Sequence, residues 1–216
     1  MKIITVCGPA SSGKTSVIRK AIISLGLPPS KIGVIKYDCL SALERSQYAG
    51  LGINIRVELA GDICPDHYFV SRLETNVRWG IDKNLSWLVI ESAGLCNRCS
   101  PNIVGIPAVC VIDCLSGYHT PEKIGPMLNL ADWIVITKGD IVSQAEREVF
   151  ATKTEEMAPH SEILFINGLT GQGAGELAEC FNEAAELDTV IGHSLRYCMP
   201  SGLCSYCSGK TRIGGR

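Results

Sequence analysis

A chain of 216 residues with 46% hydrophobic content can bury one substantial core, and one domain with a short appendage is more economical than two domains. A net charge of −2 with no basic run argues against a nucleic-acid partner, and Lys210, Arg212 and Arg216 read as a solvated terminus. No apolar run reaches membrane-spanning length and Met1 to Val6 already reads as a strand, so neither membrane insertion nor a signal peptide is expected; the chain reads as cytoplasmic, and its eleven cysteines as metal or redox groups before disulfides.

Six short apolar runs rich in β-formers recur along the chain: Lys2–Cys7, Lys31–Tyr37, Ser86–Ile90, Ala108–Ile112, Trp133–Ile136 and Glu162–Ile166. Most are followed by helix-like segments. The first is Lys14 to Leu25, with Val17, Ile18, Ala21, Ile22 and Leu25 on one face before Gly26 and the Pro28-Pro29 break; the others are Tyr68–Asn84, Ser143–Met157 and Gln172–Leu187. This rhythm predicts an α/β fold, doubly wound, with a mostly parallel sheet and helices on both faces. Residues 1–190 form that domain, and residues 191–216 form a short Cys-rich tail expected to bind metal.

Between the first strand and first helix stands Gly8-Pro9-Ala10-Ser11-Ser12-Gly13-Lys14-Thr15, which fits the phosphate-binding loop pattern. Gly8 and Gly13 let the backbone curl around phosphates. Ser11, Ser12 and Ser16 present backbone and hydroxyl donors, Lys14 reaches the β and γ oxygens, and Thr15 offers a hydroxyl to Mg²⁺. In open α/β sheets, ligands bind at the C-terminal ends of the strands. There the chain carries Asp38 and Glu91, candidates for the Mg²⁺ and water shell because a hard cation prefers oxygen ligands, and Asp113, which reads as a helix cap or structural carboxylate. Lys14, Asp38 and Glu91 are the candidate catalytic residues, acting by positioning and charge stabilisation.

The strand Trp133-Ile134-Val135-Ile136 ends in Thr137-Lys138-Gly139-Asp140, which resembles the guanine-recognition motif of GTPases. A carboxylate accepts both guanine N–H groups and pairs poorly with adenine. Asp140 is therefore expected to select GTP while the Lys138 stem packs on the base. The loop Asn167-Gly168-Leu169-Thr170-Gly171 is similar to the one that completes the base pocket in the same proteins.

With these pieces in order, residues 1–190 resemble the SIMIBI-class GTPases that serve nickel enzymes, the hydrogenase and urease accessory proteins. The resemblance is carried by the phosphate loop, by Val34-Ile35-Lys36-Tyr37-Asp38, by Glu91-Ser92-Ala93-Gly94 and by Cys64-Pro65-Asp66-His67. It implies a homodimer that couples GTP binding and hydrolysis to metal delivery or metallocentre assembly in a target enzyme, with that enzyme or its maturation factors as partners. It also implies that Cys64 and His67 bind a transition metal across a nucleotide-dependent dimer. In this chain Asp66 is inserted between Pro65 and His67. The phosphate loop lacks the extra early lysine of the related ATPases that carry iron–sulfur clusters or partition DNA, which argues against that branch.

Two further features concern sulfur. Cys96-Asn97-Arg98-Cys99 follows Glu91 closely, and the tail carries Cys198, Cys204 and Cys207. Four thiolates suit Zn²⁺ or a [4Fe-4S] cluster, while the resemblance points to Ni²⁺. Either Cys96 and Cys99 share one site with Cys204 and Cys207, or each pair bridges a symmetric dimer. Cys7, Cys39, Cys110, Cys114 and Cys180 read as core packing, and His119, His160 and His193 as surface or satisfied residues. A zinc or iron–sulfur scaffold using nucleotide as a conformational switch, and a small-molecule kinase, are the alternative functions.

Overall fold

Among the described residues, seven strands, all parallel, form one sheet. They are β1 (Lys2–Cys7), β2 (Ile32–Asp38), β3 (Asn54–Leu59), β4 (Trp87–Glu91), β5 (Ala108–Asp113), β6 (Trp133–Thr137) and β7 (Glu162–Phe165), in the order β3-β2-β4-β1-β5-β6-β7. The computed structural model describes residues 1–39, 45–48, 50–94, 100–197 and 211–214. The strands alternate with helices α1 (Lys14–Leu25), α2 (Arg45–Tyr48), α3 (Pro65–Asp82), α4 (Thr120–Ile124), α5 (Pro126–Asn129), α6 (Gln144–Met157) and α7 (Ala174–Asn182).

Because the inner strands are covered on both faces, they read as continuous apolar runs, and their alternate residues feed opposite cores. Ile4, Val6, Val34, Val89, Val111 and Val135 pack under α1 and α7, through Val17, Ile18, Ala21, Leu177 and Phe181. On the other face Ile35, Tyr37, Leu88 and Ile90 meet Phe69, Val70, Leu73 and Val77 of α3, while Cys7, Cys110, Ile112 and Ile136 meet α4 to α6.

The sequence offered six strands, and β3 is the seventh. Its residues Asn54-Ile55-Arg56-Val57-Glu58-Leu59 alternate polar and apolar instead of forming an apolar run, as suits an edge strand paired on one side only. Glu58 pairs with Arg56 on the same strand at 2.7 Å and with Arg72 of α3 at 3.9 Å, so the second ion pair links the edge strand to α3. Helix α3 starts at Pro65 rather than Tyr68, with Cys64 as N-cap, because proline at the first position loses no hydrogen bond. Helix α6 begins after Ser143, which forms a reciprocal capping box with Glu146. Helix α7 is shorter at both ends than its periodicity predicts. Gly173 in a left-handed conformation caps its start, and beyond it Leu187 turns back to donate its N–H to the Met1 carbonyl.

The described part of residues 191–216 packs against the α3 face. Leu195 and Ile213 are buried there beside Ile103, Ile106 and Val190. Leu195 bridges to Ile103 and Ser194 to Arg212. The Arg196 guanidinium clasps Asp132 at 2.7 and 2.9 Å and donates to three carbonyls, those of Ile103, Leu130 and Ile106.

Candidate functional site

Strand β1 lies between β4 and β5, where the chain switches from building one half of the sheet to the other. The loop that follows it therefore opens at the topological switch point. Gly8 is held at φ 136°, and a Cβ there would meet the Val111 carbonyl oxygen at 2.0 Å. Gly13, at φ 96°, is the N-cap of α1 and no side chain caps it, so the first-turn N–H groups point at the groove with no intrahelical acceptor. The Ser12 hydroxyl is fully buried without a hydrogen-bond partner among the described residues, while its carbonyl accepts the Thr137 hydroxyl at 2.7 Å.

Lys14 is buried and folds back on the loop, donating to the Gly8 and Pro9 carbonyls at 2.9 and 2.7 Å. Burial lowers its pKa, opposed by the Glu91 carboxylate. Glu91 in turn is the centre of a buried network. Its Oε1 accepts the Thr15 hydroxyl at 2.6 Å and the Lys36 ammonium at 2.9 Å, and its Oε2 accepts the Tyr48 hydroxyl at 2.8 Å. Lys36 also donates to Thr15 Oγ1 at 2.8 Å. Asp38 lines the same cavity of about 380 Å³, together with Lys14, Thr15, Lys36 and Glu91, and its Oδ1 accepts the Cys39 N–H at 2.6 Å.

This donor set fits Mg²⁺. Thr15 Oγ1 and Glu91 Oε1 stand 2.6 Å apart and already hold a cationic group between them. Adjacent ligands of an octahedral Mg²⁺ lie about 2.9 Å apart, given metal–oxygen distances near 2.0–2.1 Å.

A second cavity of about 200 Å³ adjoins the first through Gly13 and Ser16 and is lined by Thr137, Lys138, Asp140, Asn167 and Leu169. Lys138, at φ 58°, donates to the Ser11 carbonyl at 2.9 Å and faces Asp113 Oδ1 at 3.3 Å. Asp113 also caps the turn that follows β5 by accepting the Leu115 N–H at 3.1 Å. Asp140 is exposed at the cavity's rim. The Asn167 side-chain Oδ1 accepts the N–H groups of Leu169 and Thr170 at 2.9 and 3.0 Å, so it shapes its own loop.

Cys64 is the N-cap of α3 and His67 lies in its first turn. Cys64 is half-buried and His67 is buried, which lowers the imidazole pKa. The inserted Asp66 is 1% exposed, and neither carboxylate oxygen has a hydrogen-bond partner among the described residues. Burial pushes its pKa up to about 7, with Lys14 opposing. Cys39 is half-buried rather than part of the core, because it follows β2 at the groove. Cys7, Cys110, Cys114 and Cys180 are buried. Among the described residues no group of three or more His, Cys, Asp or Glu gathers as a metal site. Cys96, Cys99, Cys198, Cys204 and Cys207 lie outside the described residues. His119 pairs with Glu122 and His193 contacts the Val104 carbonyl.

Sequence reading missed Lys36 and Tyr48. A lysine inside the apolar run Val34-Ile35-Lys36-Tyr37 was the available signal, because a buried central-strand lysine requires a partner. Tyr48 sits on a four-residue helix with no sequence signature.

The sheet order, the loop at its switch point and the hydroxyl–carboxylate pair define a P-loop nucleotide-binding protein. Residues 2–165 match the CobW/HypB/UreG nucleotide-binding domain. The chain belongs to this family of P-loop GTPases. It is 44% identical to the uncharacterized protein MJ0120 of Methanocaldococcus jannaschii, over 99% of this chain and 91% of that one. Among solved structures, it shares its fold with the hydrogenase maturation factor HypB of Archaeoglobus fulgidus, at TM-score 0.64 and 23% identity over 83% of this chain and 89% of that one. It is likewise similar to HypB of Helicobacter pylori in complex with nickel, at TM-score 0.67 and 15% identity over 85% and 86% of the two chains. No helix among the described residues is long and apolar enough to cross a membrane.

Proposed function

We propose that the protein is a GTP-hydrolysing metallochaperone, working as a homodimer in the cytoplasm, whose nucleotide state governs delivery of a metal or assembly of a metallocentre in a target enzyme. The observation that carries this reading is the contact between the phosphate loop and the segment leading to the first cysteine pair. Gly94, at φ 68°, lies so close to the loop that a Cβ on it would meet the Gly8 carbonyl oxygen at 1.6 Å and Lys14 Nζ at 3.1 Å. Cys96 and Cys99 follow within five residues, so a change at the phosphates reaches the root of the thiolate segment directly.

In this reading Lys14 and the first-turn N–H groups of α1 hold the β and γ phosphates, and Asp140 and Lys138 hold guanine. Thr15 and Glu91, with Asp38 beside them, would hold Mg²⁺, which would supply positive charge against the phosphate oxygens. Asp38 or Glu91 orients the attacking water, and Lys14 stabilises the charge that develops on the transferred group.

The cargo site is proposed at the cysteines, with Cys64 and His67 as a second pair of ligands. Support for one shared site of Cys96, Cys99, Cys204 and Cys207, with Cys198 nearby, comes from the residues that flank both segments. Arg196 N donates to the Asn102 carbonyl at 2.8 Å, Val104 N to Ser194 at 2.8 Å, and Leu195 N to Thr211 at 2.7 Å. Residues just past 95–99 are thus paired with those just before 198–210. Zn²⁺, Ni²⁺ or a [4Fe-4S] cluster all suit thiolates.

Metal analysis and visible absorption of protein purified without oxygen, with and without GTP and Mg²⁺, test the proposal. Nickel or zinc that exchanges when GTP is added is the expected result. A zinc indifferent to nucleotide, or an iron–sulfur band with stoichiometric GTP binding and no turnover, would make the protein a scaffold instead.

A further inference from the structure

Lys36 does something the phosphate-loop pattern does not require. It projects from the middle of β2 into the cation position of the groove and bonds both of the oxygens, Thr15 Oγ1 and Glu91 Oε1, that fit Mg²⁺. Its side chain is 7% exposed and that of Glu91 is 1% exposed, so the pair is buried and exchanges little with solvent. Tyr48 closes the other side of the carboxylate. A second positive charge, Lys14, stands close enough to Glu91 for the two to interact electrostatically.

We propose that Lys36 is a built-in counter-ion that competes with Mg²⁺ for Thr15 and Glu91, so that the metal is admitted only as the ammonium is displaced from those oxygens. The inference rests on the nucleotide-site reading above and specifies how that site is regulated. Two consequences follow from charge alone. Without metal, Lys36 neutralises Glu91, which would otherwise repel an incoming triphosphate, so nucleotide binds tolerably in the absence of Mg²⁺. With metal, part of the Mg²⁺ binding energy is consumed in displacing the ammonium, so the metal tightens nucleotide binding less than in a site with no resident cation. The net result is weak coupling between Mg²⁺ and nucleotide.

The test is equilibrium binding of a fluorescent GTP analogue to the full chain, with Mg²⁺ and with EDTA, in wild type, Lys36→Gln and Lys36→Arg. The glutamine amide keeps a polar donor on the side chain, one atom shorter than lysine, but carries no charge. Wild type is expected to lose less than about tenfold in affinity when Mg²⁺ is removed. Lys36→Gln should lose about tenfold more than wild type, a ratio within the ordinary range of coupling between sites, and Lys36→Arg should return towards wild type. Equal Mg²⁺ dependence in wild type and Lys36→Gln would overturn the role of Lys36 while leaving the nucleotide site standing. No binding by wild type even with Mg²⁺ would instead remove the nucleotide-site reading itself.

Thermal melting of the nucleotide-free proteins supplies an independent readout should Lys36→Gln fold poorly. If Lys36 occupies the cation position, millimolar Mg²⁺ raises the melting temperature of Lys36→Gln and leaves wild type unchanged. An identical response to Mg²⁺ in the two proteins would contradict the proposal.

Discussion

At the phosphate end of the groove, Thr15, Lys36, Tyr48 and Glu91 are hydrogen-bonded to one another, three of them buried and Thr15 partly so. At the base end, Asp140 is exposed and the loop after β7 is shaped by Asn167 bonding its own backbone. The first end is an electrostatic assembly in which each charge depends on the next. The second is a rim shaped by turns, with Lys138 tied to Ser11 and Asp113 and with Asp140 exposed. Damage to the first therefore reaches the fold, whereas damage to the second should change only what binds.

Glu91→Ala breaks this contrast most severely. It leaves the Lys36 ammonium buried without its carboxylate, and breaking a buried ion pair costs about 3–5 kcal/mol. Urea unfolding of the nucleotide-free protein measures the loss, and a change below about 1 kcal/mol would mean that the network is solvated.

Asp66 extends the comparison, since it is a further buried charge near Lys14 but has no hydrogen-bond partner among the described residues. Its pKa is raised from 3.8 to about 7 in the folded state. The folded form thus holds the proton more tightly, so this stabilisation is complete below about pH 4 and is lost as pH rises through about 7. In chelator-treated protein, Asp66→Asn should remove that decline, raising stability at pH 8 relative to wild type by on the order of a few kcal/mol. Parallel pH profiles for the two proteins would show that the carboxyl group is hydrated.

Thr137→Val has the smallest effect. It removes the hydroxyl that ties β6 to the phosphate loop through the Ser12 carbonyl, a loss of about 1 kcal/mol in unfolding free energy. Because this bond is the seam between the two ends, a loosening of nucleotide affinity should accompany the loss.

The same contrast separates what the chain discloses from what it conceals. The phosphate loop is local, eight consecutive residues whose spacing is dictated by backbone approach to phosphate, so Gly8, Gly13, Lys14 and Thr15 were legible at once. Asp38 and Glu91 were legible because each ends an apolar strand at the edge where ligands bind. Lys36 belongs to the site only because β2 and β4 are neighbours, pairing Lys36 with Glu91 across the sheet. Tyr48 arrives by a longer path still. Strand β3 escaped notice because an edge strand needs apolar residues on one face only, and the true start of α3 because proline stands at its first position. The role of Asp66 depends on its depth, which spacing does not encode.

Competitive titration of wild type and Asp140→Asn with Mg²⁺-GTP and Mg²⁺-ATP decides whether the site selects guanine. Wild type is expected to prefer GTP by tenfold or more, Asp140→Asn to narrow this preference by roughly tenfold, and the melting temperature of the variant to stay unchanged because Asp140 is exposed. Equal affinity of wild type for the two nucleotides, or an undiminished preference in Asp140→Asn, would contradict that selectivity.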